Sequence, residues 1–545
     1  MATAADLLDA PISEKEYRSR VWGWAMYDWA NSAFATTILA AVLPVYFSAV
    51  AAATLNSEAT ATGYWSLGLS ISLLLTAILS PFLGTLSDVR RSKKRFLGIF
   101  AVIGIVATGL LVLIDRGDWV AALLLFVVAR IGFVGSYTFY DALLPHVARP
   151  DDQDRVSALG YALGYLGGGL LLAINVVMIF VLPGTWGPRL AFLSVALWWA
   201  IFSIPIFRRV PEPNTISSLK PGDSVTRASL RRMSHTFRDL RRYRELFKYL
   251  VAFLLYNDAI GTIIGLATIY GAELGFGSTE LVLALLLVQF VGIPFSLIFG
   301  RLPDARTKLR PFFLAFILFN MIALPLVGIG ARYALPADLV GAPPAQVSVT
   351  TDASADTGDA TSAEAPAAAP AREQSLPLIL GIIAVVQVAA AAFAAIFGRF
   401  FRGMASLFDT KRSIMLALVV YSIIAIWGFF IESTVEFWLL AWMVAIVQGG
   451  SQALSRSLFS NMSPREKSGE FFGLYGVMEK FSSILGPLLF ALAVVVFGSS
   501  RPAILSLIAF FIIGGWLLSR VNVKEGQRVA AEEDQAMIQA RGLVT

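Results

Sequence analysis

The chain has 545 residues, of which 57% are hydrophobic and 15% are charged, and its formal net charge is +6. Its mean hydropathy is +0.71. Because a soluble domain has about 25% charged residues, this composition indicates an integral membrane protein. The lack of cysteine excludes disulfides and Cys-ligated zinc, and the two histidines, His146 and His235, argue against a His-based metal site. The sequence therefore predicts no metal centre and no cofactor.

Apolar runs of roughly 20–27 residues recur along the chain, and each is long enough to cross a hydrocarbon core of ~30 Å. Backbone groups in lipid must be satisfied within their own segment, so each run predicts a transmembrane helix. The expected fold class is therefore an all-α integral membrane protein with about 14 transmembrane helices. The predicted spans are 22–48, 63–86, 96–114, 119–143, 157–182, 188–207, 247–272, 279–300, 311–332, 376–401, 413–431, 437–459, 470–497 and 502–519.

The Lys and Arg residues are distributed unevenly between the loops. Most of the 43 lie in alternate segments that begin with the N-terminus, above all in 208–248. The loops on the other side contain Arg116, Arg189, Arg332, Arg372 and Arg501. Because cytoplasmic loops carry the excess of positive charge, we expect a multi-pass protein of the cell membrane with both termini cytoplasmic. This topology accounts for the sequence pI of about 9.4, and we expect no nucleic-acid partner.

Three segments are predicted to lie outside the bilayer. Residues 209–246 form a basic cytoplasmic linker, and its second part is expected to lie as a helix on the anionic lipid surface. Residues 334–374 form an outward loop of Ala, Pro, Thr, Ser and Asp, a composition that cannot bury a core and predicts disorder. Residues 521–545 form a cytoplasmic tail.

Two similar strings place an aspartate inside an apolar run, once in each half of the chain. They read Tyr27-Asp28-Trp-Ala and Tyr256-Asn257-Asp258-Ala. A carboxylate at membrane depth is costly and needs a partner or a water-filled cavity. Transporters built from two related bundles bind their substrate between the repeats. We therefore expect Asp28 and Asp258 to line a central cavity; a structural hydrogen bond to a neighbouring polar side chain is the alternative.

The repeat extends to a second pair of strings, Gly135 to Tyr161 and Gly449 to Tyr475. Matching positions are farther apart in this pair than in the aspartate pair, which predicts an inserted helix pair within 301–403. Parallel repeats of this kind are those of the major facilitator fold. The predicted plan is an N-terminal six-helix bundle (1–208), the linker (209–246), and a C-terminal bundle (247–520) that contains the inserted pair.

The loop after the second predicted span has a charge pattern typical of a gate. It reads Gly84-Thr-Leu-Ser-Asp88-Val-Arg90-Arg91-Ser-Lys-Lys-Arg95 and resembles the major facilitator motif Gly-x-x-x-Asp-x-x-Gly-Arg-Lys/Arg, with Arg91 in place of glycine. The aspartate can bond a basic group and a neighbouring helix N-terminus, which would latch the two halves. A basic loop that only sets topology is the alternative. Weaker echoes occur at 300–304 and 409–412, and either is a possible counterpart.

The fifth predicted span contains Gly160-x-x-x-Gly164-Tyr165-x-x-Gly168-Gly169. It resembles the glycine motif of major facilitator antiporters, with tyrosine in place of proline. Small residues permit close helix packing, whereas the resemblance points to export. Both interpretations stay open at this point.

Three longer strings resemble one family. They are Tyr27 to Ile38, Gln448 to Ser457, and Gly469 to Tyr475 with the following Glu479-Lys480-Phe481. They are similar to the vacuolar-effluxer-like (autophagy-related amino-acid effluxer) family of the major facilitator superfamily, and to its prokaryotic branch in particular. The resemblance covers residues 20–520 apart from the linker and the inserted pair. It implies the major facilitator fold, and it associates the fungal relatives with amino-acid release from the vacuole.

Further polar side chains lie inside predicted spans. Arg130 either takes part in proton movement, as the resemblance implies, or pairs with Asp28. Glu479 and Lys480 are adjacent and point about 100° apart, so we expect that they do not simply neutralise each other. Asp141 lies near a helix end and is expected to be solvated. The remaining candidates for the substrate or proton site are Tyr27, Asn31, Asn257, Gln448 and Gln452.

These features favour a secondary transporter of a small metabolite. No Gly-x-x-x-x-Gly-Lys-Ser/Thr string occurs, so ATP is not the expected energy source. Buried carboxylates can titrate near neutral pH, which favours protons as the coupling ion. An amino acid or similar amphipathic solute, and export, are implied by the resemblance alone. The alternatives are a membrane enzyme and a non-transporting sensor or scaffold; we expect no enzyme, and a monomer in the bilayer.

Overall fold

The computed structural model describes residues 12–213, 224, 229, 231, 241–273, 278–336, 375–482, 485–497 and 501–539. Within these ranges the chain forms helices and turns and no strand. The lipid-surface helix predicted in the linker, and the disorder predicted for the outward loop, fall almost wholly outside the described residues.

The first half begins with a bent helix. Helix α1 (Glu14–Ala33) starts at Ser13, whose hydroxyl accepts a hydrogen bond from the amide of Glu16, a common N-cap arrangement. It continues through a π-helical segment (Phe34–Ala41) and then bends by 41° into a last stretch at Leu43–Ala51. Pro44 lies in the first turn after the bend, where a missing amide donor does least harm. The other helices of this half are α2 (Glu58–Arg90), α3 (Lys93–Leu110), α4 (Trp119–Ala142), α5 (Gln153–Val181) and α6 (Trp186–Arg209).

The described part of the second half contains ten helices of more than ten residues. They are α7 (Arg244–Glu273), α8 (Ser278–Arg301), α9 (Arg310–Ala334), α10 (Ser375–Phe397), α11 (Thr410–Phe429), α12 (Thr434–Met462), α13 (Ser468–Phe481), α14 (Leu485–Phe497), α15 (Arg501–Ser519) and α16 (Val523–Gln539).

Twelve of the described helices are long and apolar enough to cross a membrane, and the bent first pair makes a thirteenth. Of the 14 predicted spans, the one that, apart from the bent first helix, does not correspond to a single long helix is 470–497. This segment contains two shorter helices, α13 and α14. Pro487 lies in the first turn of α14. A proline is well tolerated in the first turn of a helix, so Pro487 is compatible with a new helix that begins at Leu485.

The helices pack as two groups that meet along two seams. In the first half α1 packs on α5 and α6, and α3 packs on α4. In the second half α7 and α11 pack on α15, and α8 packs on α12. The seams between the halves are α2 against α13 and α5 against α8. Because α9 and α10 pack mainly on each other and on α12, we propose that they are the inserted pair.

Both described ends of the chain lie at one face. Tyr17 donates a hydrogen bond of 3.0 Å to Asp152, and Lys467 forms an ion pair of 2.6 Å with Glu533 of α16. Arg465 donates to His146 and joins these two regions. We call this side, with its basic loops, the basic face. The part of the predicted tail that is described, α16, packs against it and buries Gly526, Ala530, Glu533 and Ile538.

Candidate functional site

A cavity of about 630 Å³ lies between the two halves. Its wall includes Gly428 near the end of α11, Phe437 near the start of α12 and Leu281 near the start of α8. These helix ends lie opposite the basic face, because each of the three helices has its other end at that face. The cavity therefore extends from the middle of the molecule to the outer ends of the helices and is closed at the basic face.

The wall is apolar near its outer end and polar at its floor. Apolar side chains such as Phe133, Val288, Phe437, Val444 and Leu507 form most of the surface. The polar floor consists of Asp28, Asn31, Tyr137, Tyr161, Gln448, Gln452, Glu479 and Lys480. A wall of this kind suits a solute with one apolar and one charged end.

Asp28 is bound by an arginine from the opposite half of the molecule. Arg456 of α12 donates from Nη1 and Nη2 to Oδ2 of Asp28 over 3.3 and 3.4 Å. The hydroxyl of Tyr140 donates to the same oxygen over 2.8 Å. A charge inside a protein needs a partner and further hydrogen bonds to offset its desolvation, and Asp28 has both.

Arg456 has a second carboxylate partner, Asp141 of α4, at 3.0 Å from Nη1. Its Nε donates to the hydroxyl of Ser157, and its Nη2 donates to the carbonyl oxygen of Ser157, each over 2.9 Å. The guanidinium also lies 4.5 Å from the ring centroid of Tyr161 and 5.0 Å from that of Trp24. Asp141 is thus buried, not solvated as predicted, because the arginine of the other half reaches it through the protein.

The glycines of α5 leave the room that this cluster needs. A Cβ on Gly160 would lie 2.7 Å from Oδ2 of Asp28 and 3.0 Å from Nη2 of Arg456. A Cβ on Gly164 would lie 2.6 Å from the hydroxyl of Ser32 on α1. Of the two interpretations of the glycine motif, close packing of α5 on α1 is therefore directly visible.

Glu479 and Lys480 form an ion pair with each other at the floor of the cavity. The prediction that adjacent positions on a helix would keep them from neutralising each other was wrong. Both side chains are long enough to turn toward the same side from neighbouring positions, and the cavity gives them space to do so.

The gate loop joins the two halves at the basic face. The carboxylate of Asp88 accepts hydrogen bonds from the amides of Gly469 and Glu470, at 3.0 and 2.8 Å, at the start of α13. Its basic partner is Lys93, at 2.6 Å, not one of the three arginines that the motif indicated. Arg90 and Arg95 are exposed. Arg91 ends α2 with φ 55° and ψ 47°, the left-handed conformation for which the motif places a glycine at this position.

Comparison with known proteins decides the family. The family model "Vacuole effluxer Atg22 like" matches residues 16–332 and 372–531. The chain belongs to this family. This Atg22-like protein is 30% identical to the uncharacterized MFS-type transporter YxiO of Bacillus subtilis, over 95% of its own length and 99% of the relative's. It is 23% identical to Autophagy-related protein 22 of Yarrowia lipolytica, over 85% and 76% of the two chains.

Two solved structures that the Atg22-like protein resembles are major facilitator proteins. It matches the proton:xylose symporter XylE with a TM-score of 0.53 at 13% identity, over 95% of this chain and 98% of that one. It matches FucP in the outward conformation with a TM-score of 0.53 at 10% identity, over 93% and 98%. At such identities the likeness shows the fold alone. Family, relatives and fold together show a multi-pass membrane transporter of the major facilitator superfamily.

The structure of the Atg22-like transporter brings only part of the predicted site residues together. Asp28, Asn31, Gln448, Gln452 and the Glu479–Lys480 pair all lie on the cavity wall. Tyr27 is fully buried behind it. In the second half, Asp258 is fully buried and does not lie among the residues that line the cavity. Asn257 donates a hydrogen bond of 2.6 Å to the hydroxyl of Ser482.

Arg130 does not neutralise Asp28, as one of the two interpretations of that arginine required. Its guanidinium lies 6.0 Å from the ring centroid of Phe126, and the cationic partner of Asp28 is Arg456. Arg456 was not among the predicted site residues. The sequence did contain a sign of its role, because Arg456 is a charged residue inside the predicted span 437–459. It lies in the serine-rich stretch 455–460.

Proposed function

We propose that the Atg22-like transporter is a proton-coupled secondary transporter that exports a small amphipathic metabolite, such as an amino acid, across the cell membrane. The observation that carries this proposal is the cavity between the halves, open toward one side, with charged groups at its floor and apolar side chains above them. We assign the basic face, where both described ends of the chain lie, to the cytoplasm because of its Lys and Arg residues. The structure then corresponds to an outward-open state.

The chemistry of the wall supports a zwitterionic substrate. Glu479 can accept from an ammonium group and Lys480 can donate to a carboxylate, once the substrate separates the two side chains. Gln448 and Gln452 add neutral donors and acceptors beside them. The cavity volume falls within the range of roughly 300–1,000 Å³ that is usual for small-molecule sites. The apolar upper wall favours a solute with an apolar side chain.

The carboxylates of the site support protons as the coupling ion. Asp28 and Glu479 lie on the cavity wall, and Asp258 is buried in the second half. Burial favours the neutral form of a carboxylic acid, so the two buried aspartates, Asp28 and Asp258, are our candidates for the proton carriers. The name of the matched family, vacuole effluxer, supports export as the direction.

The test uses purified protein in proteoliposomes with an imposed pH step and a panel of labelled amino acids. We expect a flux of at least one labelled apolar amino acid across the proteoliposome membrane. This flux should rise with the pH step and fall when a protonophore is added. Asp28→Asn keeps the size of the side chain and removes its charge, and we expect it to abolish coupled flux at normal protein levels. Flux that ignores the pH step would refute proton coupling, and no flux with any solute would favour a sensor or scaffold.

A further inference from the structure

One arginine of the second half is held entirely by groups of the first half. Arg456 extends from α12 and is 1% exposed. Its side-chain partners, Asp28 on α1, Tyr137 and Asp141 on α4 and Ser157 on α5, all belong to the first half. The two halves therefore cannot separate at the level of this side chain unless the guanidinium leaves these partners.

The backbone beside Arg456 is tied to the first half as well. The hydroxyl of Ser157 donates to the carbonyl oxygen of Ala453 over 2.7 Å. The hydroxyl of Ser457 donates to Asp154 over 2.5 Å. Arg456 thus lies at the centre of a contact that closes the way from the cavity floor to the basic face, one helical turn beneath Gln452 on the cavity wall.

The charges of this cluster do not balance. Two carboxylates, Asp28 and Asp141, face one guanidinium, and all three side chains are almost fully buried. Among the described residues, the other titratable groups around the cluster are phenols, which are neutral at ordinary pH: those of Tyr137, Tyr140 and Tyr161, with Tyr27 and Tyr165 beside Asp28. Glu479, which acts on Asp141 from α13, has Lys480 as its own counter-ion. With both carboxylates ionised, the cluster has one negative charge in excess of its positive charge. Because the cluster is buried, this excess charge favours the uptake of a proton.

The cavity gives a proton a route to the carboxylate cluster. Asp28 lies on the cavity wall, whereas Asp141 and Arg456 do not lie among the lining residues. In this outward-open state, water in the cavity reaches the carboxylate of Asp28 first. The proton that neutralises the cluster therefore comes from the outer side, and no group on the basic face has to supply it.

We propose that Arg456 is the lock of the inner gate, and that one proton taken up by the Asp28–Asp141 pair from the cavity releases it. This inference rests on the proton coupling of the proposed function and names the group through which the proton acts. When one carboxylate is protonated, Arg456 keeps one ionic partner instead of two, its hold on the first half weakens, and the basic face can open. Release of the proton on the cytoplasmic side frees the carboxylate to bind Arg456 again when the gate closes.

The experiment measures the gate directly and needs no substrate. Because the chain has no cysteine, spin labels can be placed at Lys15→Cys and Lys308→Cys, two exposed positions on the basic face in opposite halves. The distance distribution between them is measured in lipid nanodiscs at pH 8 and pH 5.5. For the parent we expect a short distance at pH 8 and a larger long-distance fraction at pH 5.5.

Asp141→Asn mimics the protonated cluster without a change of side-chain size. We expect it to raise the ratio of long to short distances at pH 8 by about tenfold, the scale of one charge-assisted hydrogen bond, and to remove the pH response. Arg456→Gln should do the same at both pH values. If Arg456→Gln does not fold, because it leaves two buried carboxylates without a cation, Asp141→Asn decides alone.

The matched control is Arg189→Gln. Arg189, near the start of α6, is likewise bound by a carbonyl oxygen and a carboxylate, but its bonds to Val112 and Asp115 stay within the first half. We expect the parent distribution and the parent pH response. Parent behaviour in Asp141→Asn would overturn the lock, even if substrate flux proves to be proton-driven. A pH-dependent gate in a protein whose flux ignores the pH step would refute the proposed coupling and leave the lock in place.

Discussion

Lys93 and Asp88 form an ion pair of 2.6 Å in which neither side chain is exposed to solvent. The same carboxylate accepts from two backbone amides at the N-terminus of α13, in the opposite half of the molecule. A helix N-terminus carries partial positive charge, so Asp88 is held by one full and one partial positive charge. This arrangement makes the contact between α2 and α13 an electrostatic seam of the basic face.

Asp88→Ala should open that seam. The substitution removes both amide hydrogen bonds and leaves the ammonium group of Lys93 buried without its counter-ion, at a cost of about 1–3 kcal/mol to the closed basic face. We expect greater labelling of single cysteines introduced beside Gly469 and lower labelling on the outer cavity wall. Lys93→Met on the Asp88→Ala background should recover part of the loss, since it removes the unpaired charge. Unchanged labelling on both faces would count against the seam.

The Gly84→Ala substitution tests the same contact between α2 and α13 through side-chain size instead of charge. A Cβ at this position would lie 2.1 Å from the carbonyl oxygen of Gly469, so Gly84→Ala must push α13 away from α2. We expect a shift toward the inward-open state and a loss of transport of at least tenfold. The matched control is Gly63→Ala on the same helix, where a Cβ meets nothing within 4 Å. Equal behaviour of the two variants would show that the close approach has no role.

One arginine binds two glutamates that differ in their exposure to solvent, which allows a buried and an exposed ion pair to be compared. Arg332 of α9 binds Glu436, which is fully buried, and Glu432, which is 60% exposed. Breaking a buried pair costs about 3–5 kcal/mol, whereas an exposed one is worth about 0–1 kcal/mol. Glu436→Gln should therefore lower the midpoint of thermal unfolding in detergent by several degrees, and Glu432→Gln should leave it nearly unchanged. A similar small shift for both would mean that α9 is not anchored by this pair.

The docking of α16 should depend on pH through Asp534. Burial raises the pKa of Asp534 to about 7, against the hydrogen bonds from the amides of Glu466 and Arg465. Because the docked pKa lies above the free value, this group's contribution to docking is fully present below about pH 4 and is lost as the pH rises through about 7. Burial also acts to raise the pKa of Glu533, but the bond from Lys467 outweighs it and lowers that pKa. The contribution of Glu533 is therefore lost only below about pH 4.

Between pH 5.5 and pH 8 the docking of α16 thus reports on Asp534. We expect hydrogen exchange of residues 523–539, corrected for the intrinsic pH effect, to become faster as the pH rises. Asp534→Asn cannot titrate and should give a nearly flat profile in the same range. A slope in Asp534→Asn equal to that of the parent would assign the effect to another group.

The outward loop between α9 and α10 should be dispensable. The family match passes over residues 333–371, and the composition of 334–374 cannot bury a core. Replacing residues 340–370 with a short Gly/Ser linker should leave expression and transport at the parent level, measured in cells and in proteoliposomes. Loss of transport at normal expression would show that the loop gates the cavity or binds a partner.

Composition and hydropathy along the chain were enough to predict the properties that the bilayer imposes locally. The apolar runs predicted most of the helices to within a few residues, because backbone in lipid has to form helices wherever the chain is apolar. The exceptions are the first helix, which begins at Glu14 and bends, and the segment 470–497, which contains two helices. The strings around Asp28 and Gln448 led to the family that the family match shows. The site candidates Asp28, Asn31, Gln448, Gln452, Glu479 and Lys480 were placed by the same reasoning, and the structure finds them on one cavity wall.

Which charged side chains pair with each other could not be predicted without the packing of the helices. The partner of Asp28 lies 428 residues away in the chain, and Asp88 pairs with Lys93 although three arginines lie close to it in the sequence. Glu479 and Lys480 join because side chains several bonds long can bend toward shared space, which helix geometry at Cα does not describe. Such contacts depend on how helices are rotated, tilted and packed against one another, and the pattern of apolar residues that places a helix in the membrane leaves those freedoms open.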